Sequence, residues 1–135
     1  MKSLATIIFI AMAILPVRLF AQIHIEQATV FSAKAGEQTA IFMNIYNTGE
    51  NTVTLKAVQS PMQSNIALRG LENGKMHNIA VIDVPPKEMT PLKRGGFHIM
   101  VFNVEQDLVV GKTFPLHLLF DNGQTIDIEA KIITN

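Results

Sequence analysis

The sequence predicts an all-β domain, a sandwich or small Greek-key barrel of eight or nine short strands. Apolar residues recur with period two rather than 3.6. Asn, Gly and Pro separate the apolar runs at spacings of about 8–14 residues. No run carries the stripe of an amphipathic helix.

The strands follow in order. Ile23 and Ile25, then Ala28 and Val30, alternate with polar positions. The run from Thr39 to Tyr46 is strand-like, and Asn47-Thr48-Gly49-Glu50-Asn51 closes it with residues that tolerate tight reversals. Alternation resumes from Thr52 to Val58 and stops at Ser60-Pro61. Asn65 to Arg69 and Lys75 to Val81 flank Glu72-Asn73-Gly74, and an Asn-Gly pair between two β-prone runs is a strong hairpin signal. Val84-Pro85-Pro86-Lys87-Glu88 reads as a loop, and Met89 to Leu92 as a short edge strand holding Pro91. Arg94-Gly95-Gly96 turns the chain into Phe97 to Phe102. Phe114 to Phe120 and Thr125 to Ile132 complete the set, joined by Asp121-Asn122-Gly123-Gln124.

The N-terminus reads as an address. Lys2 precedes an apolar run from Leu4 to Leu15, which Pro16 ends. That run is shorter than the ~20 residues of a membrane span, and Ala21 offers a small residue for cleavage. Residues 1–21 are therefore expected to be a signal peptide, and residues 22–135 a single exported, periplasmic domain with no span after cleavage. The leader holds Lys2 and Arg18 and no acidic residue, leaving nine basic residues against eleven acidic. No basic stripe is available for nucleic acid. The absence of cysteine excludes disulfides, thiolate metal sites and cysteine nucleophiles. No phosphate loop, Gly-x-Ser-x-Gly or His-Glu-x-x-His appears, and the acidic residues are scattered, so no enzyme is expected.

His98 and Met100 stand two apart on a strand and so project to one face. An imidazole beside a thioether suits a soft cation such as Cu(I), whereas zinc favours more nitrogen or thiolate and calcium favours carboxylate. A His-x-Met pair alone is more commonly packing, since methionine fills cores well.

The wider pattern resembles the periplasmic copper chaperone family PCu(A)C, also called DUF461. That family's signature is His, ten residues, Met, twenty-one residues, His, one residue, Met. Twenty-one residues separate Met76 from His98 here, and Met100 follows after one more. Asn44-Ile45-Tyr46-Asn47-Thr48-Gly49, Ser60-Pro61, Glu72-Asn73-Gly74, Ile82-Asp83-Val84-Pro85 and Leu92 to Met100 resemble family segments in the same order. The resemblance implies a cupredoxin-like β-sandwich that binds copper, Cu(I) above all, and passes it to a copper-requiring respiratory oxidase subunit. It implies Met76, His98 and Met100 as ligands.

One departure stands out. Arg69 occupies the place of the family's first His, in a hairpin shortened by about four residues. An arginine cannot ligate a cation. His77 is a substitute only if a bulge turns it and Met76 to the same face. In a second alignment His77 is itself the first His and the middle Met is deleted. Met62 and Met89 are candidates for a supplementary thioether, and His24, close to a processed N-terminus, for Cu(II). His117 is expected to face solvent. The competing reading is a metal-free interaction or structural module with a decayed site.

Overall fold

The computed structural model describes residues 23–135. The expected signal peptide lies outside the described residues. Ten strands form one nearly closed, barrel-like sheet. They are β1 (Ile23–Phe31), β2 (Thr39–Asn47), β3 (Val53–Gln59), β4 (Ile66–Glu72), β5 (Lys75–Ile79), β6 (Ile82–Val84), β7 (Glu88–Leu92), β8 (His98–Val101), β9 (Thr113–Phe120) and β10 (Thr125–Ile133). Their order across the sheet is β5-β4-β8-β2-β1-β10-β9-β3-β6, with β7 also paired to β2. No helix long and apolar enough to cross a membrane is found among the described residues.

The count of eight or nine strands is corrected to ten by β6. Its Ile82 and Val84 are buried and its Asp83 is exposed, so three residues suffice to line the core and pair β3 through Val53↔Val84 and Leu55↔Ile82. A strand that short leaves almost no alternation to read beside the prolines that follow it.

The core is built from alternating positions. Ile41, Met43 and Ile45 of β2, Ile99 and Val101 of β8, and Phe114, Leu116, Leu118 and Phe120 of β9 all point inward. Each such side chain contributes about 1.5–3 kcal/mol by leaving water. β2 is the central support of the site. One of its edges pairs β1, and the other is shared end to end by β7, through Met43↔Leu92, and β8, through Ile41↔Ile99.

A bulge in β1 bears directly on the site. Three steps along β1, from Glu26 to Thr29, match two along β2, and Gln27 takes φ 56° there. One extra residue reverses the alternation. Ile23 and Val30 both remain inward, and Phe31 turns to the outer face beside Phe42.

Candidate metal centre

His98 opens β8 because the five residues before it bring the chain back to the edge it has just left. The Lys93 amide donates to the Phe97 carbonyl (2.7 Å) and the Gly96 amide to the Lys93 carbonyl (3.0 Å), while Gly95 adopts φ 82°. Phe97 packs over Gly70 of β4. A Cβ at Gly70 would stand 2.9 Å from Phe97 Cδ1, so a glycine within this strand is required by close approach.

Ile99 and Val101 face the core, and His98 and Met100 therefore face outward. Both line a surface pocket of about 350 Å³ with Phe31, Phe42, Ala40 and Arg94. His98 is only 9 % exposed, and its ring lies 6.1 Å from that of Phe42. Its Nδ1 is 3.0 Å from the Gly96 carbonyl oxygen. A carbonyl can only accept, so Nδ1 carries the proton and Nε2 keeps its lone pair for a ligand. The Met100 thioether is on the same face, two residues on. Neutral imidazole nitrogen beside thioether sulfur is a donor set that suits Cu(I). No group of three or more His, Cys, Asp or Glu side chains is placed to hold an ion among the described residues.

The other sequence-proposed ligands separate clearly. β4 pairs β8 through Ala67↔Met100 and Arg69↔His98, and pairs β5 through Arg69↔Asn78 and Leu71↔Met76. Parity along these ladders puts Met76 on the same outer face as His98 and Met100. It stands two strands from β8, and the offset along β4, two residues from His98 and four from Met100, puts its backbone roughly 12 Å and 17 Å from theirs, with Arg69 on the strand between. His77 pairs Gly70 and faces the other way. The β4–β5 ladder is regular from Leu68↔Ile79 to Glu72↔Lys75, so the bulge that would turn His77 toward Met76 is not present. The hairpin turn itself is the expected one, with Asn73 at φ 54° and Gly74 at φ 77°.

Met62 packs partly buried against the core. Met89 is exposed in a separate apolar groove with Leu71 and Phe97. His24 is exposed on β1, opposite Tyr46. His117 lies on the outward face of β9, with Nδ1 2.7 Å from an Asp127 carboxylate oxygen.

Arg69 is the feature whose surroundings the sequence did not show. Its Nη1 donates to Asn78 Oδ1 at 2.8 Å, and its Nε is shut from solvent with no hydrogen-bond partner. Arg69 does not line the pocket itself; the arginine that does is Arg94, whose guanidinium sits 5.3 Å over the Phe31 ring and donates to Asn135 Oδ1. No Asp or Glu side chain lines this pocket.

The LpqE-like family, described as "Putative lipoprotein LpqE-like", matches residues 22–132. The chain belongs to this family, which is the PCu(A)C or DUF461 family. Among solved structures, the copper-bound PCuAC domain from PmoF2 is similar at TM-score 0.74 and 19 % identity, over 84 % of this chain and 93 % of that one. The apo PCuAC domain from PmoF1 gives 0.73 and 22 %, over 84 % and 94 %. The Cu(I) form of DR1885 from Deinococcus radiodurans gives 0.66 and 21 %, over 82 % and 79 %. These likenesses establish the PCu(A)C β-fold for this chain. No curated protein matches it.

Proposed function

We propose that this protein is a copper-binding, chaperone-like carrier that holds Cu(I) through His98 Nε2 and the Met100 sulfur, with the Met76 sulfur joining them only when β5 moves inward. The observation that carries the reading is the Nδ1–Gly96 contact, which leaves Nε2 free beside a thioether in an open pocket. Family membership supports it, as does the copper held by the PmoF2 domain and by DR1885. Few neutral ligands at a surface suit a carrier, because such a site can release its ion. A copper-requiring oxidase subunit is the proposed recipient, and the protein acts by binding and transfer, without catalysis.

Export to the periplasm is supported by the apolar run behind Lys2 in residues 1–21.

The test is a competition titration against a chromophoric Cu(I) chelator. One Cu(I) per chain is expected, with His98→Ala and Met100→Ala abolishing binding, Met76→Ala weakening it and His77→Ala leaving it unchanged. A second reading, a metal-free interaction module, is favoured by one observation: Arg69 places a cation between Met76 and His98. Absence of stoichiometric binding would favour that module, and binding that survives both His98→Ala and Met100→Ala would refute the His98/Met100 site.

A further inference from the structure

We propose that Arg69 makes the His98/Met100 site selective for monovalent over divalent copper, an inference that rests on the copper-binding reading above. Arg69 and His98 are direct partners across an antiparallel ladder, so their Cα atoms lie about 4.5–5.5 Å apart and their side chains share a face. The charge cannot be titrated away. It is also uncompensated: the partner of the guanidinium is the neutral Asn78 amide, and no carboxylate lies within ion-pair distance among the described residues. Asn78 stands directly across β4–β5 on the same outer face and tethers the group there.

The buried, unpaired Nε is a cost that a neutral side chain at this position would avoid. An orphaned donor of this kind calls for an explanation, and electrostatic control of the neighbouring site supplies one. Coulomb repulsion is proportional to the charge of the bound ion. Whatever factor Arg69 removes from Cu(I) affinity, it removes the square of that factor from Cu(II) affinity. The thioether of Met100 favours the reduced ion by its softness, and the guanidinium adds a second, charge-based preference that depends on no ligand bond.

The experiment measures Cu(I) and Cu(II) affinities, and the reduction potential of bound copper, for the full chain and for Arg69→Leu and Arg69→Lys. Leucine is neutral and offers no donor; lysine keeps the charge. Arg69→Leu is expected to raise Cu(I) affinity by roughly 15-fold, for a unit charge about 10 Å from the ion at an effective dielectric of about 20. Cu(II) affinity rises by the square of that factor, and the potential falls. Arg69→Lys keeps the wild-type ratio. Equal gains for both ions, an unmoved potential, or a lysine variant that behaves like the leucine one would overturn the proposal while leaving the copper site standing. Failure of the wild-type chain to bind either ion removes the site and the selectivity together.

Discussion

Replacing Arg69 by methionine in the metal-free protein is expected to stabilise the fold. The methionine stem follows the arginine stem, and its terminal methyl falls where Nε now sits without a partner. Relieving one buried unsatisfied donor recovers about 1–3 kcal/mol. The loss on the other side is the Nη1–Asn78 hydrogen bond, which is exposed and therefore worth about 0.2–1 kcal/mol. The difference runs from about 0 to 3 kcal/mol in favour of the variant and centres near 1.4 kcal/mol. For a domain of this size that corresponds to roughly 2–8 °C in Tm. Urea denaturation with a copper chelator present reads this directly as a raised midpoint at unchanged slope. Arg69→Met in an Asn78→Ala background separates the hydrogen bond from the buried nitrogen. A lowered midpoint in both backgrounds would mean that the guanidinium holds the hairpin in place, and the idea that its position is costly to the fold would be wrong.

Asn47 donates to the Val84 and Asn51 carbonyls at 2.8 and 2.9 Å and accepts from the Gly49 amide at 2.9 Å, while almost wholly buried. Asn47→Ala strands these groups and is expected to cost about 2–4 kcal/mol in a denaturant titration; a loss below about 1 kcal/mol would show that water replaces the amide. The Ser64 amide and hydroxyl both donate to Glu105 Oε2 at 2.8 Å and hold its carboxyl below the usual carboxylate range. A depressed folded-state value stabilises the protein above that usual range, and the contribution disappears as pH falls through the depressed value. Ser64→Ala removes the hydroxyl and keeps the amide, so an NMR titration of Glu105 should move only part of the way upward. An unmoved midpoint would assign the whole effect to the backbone.

Much of the fold was legible in alternation alone. The step from Ile23 and Ile25 to Ala28 and Val30 already contained the bulge in β1, since apolar positions pass there from odd to even. His98 and Met100 were assigned to one face because period two is a local property, and Asn73-Gly74 announced its hairpin for the same reason. The opposition of Arg69 to His98 was not legible. It depends on the register of two strands separated by the whole of β5, β6 and β7, and no short stretch of sequence encodes that offset. The face of His77 could be read only conditionally, because one inserted residue would have reversed it. The three residues of β6 gave too little pattern to distinguish a strand from the loop beside it.

The order β5-β4-β8-β2 puts the proposed ligands on two mechanically unlike strands. His98 and Met100 belong to a strand clasped on both sides, by β2 and by β4, so the imidazole and its neighbouring sulfur are set before any ion arrives. Met76 belongs to the outermost strand, five residues long and paired on one side only. Local opening requires the fewest broken bonds at such a margin. On the proposed reading an incoming ion would meet a fixed seat first, and any clasping or letting go would fall to β5, the strand that can open while β4 keeps its ladder to β8.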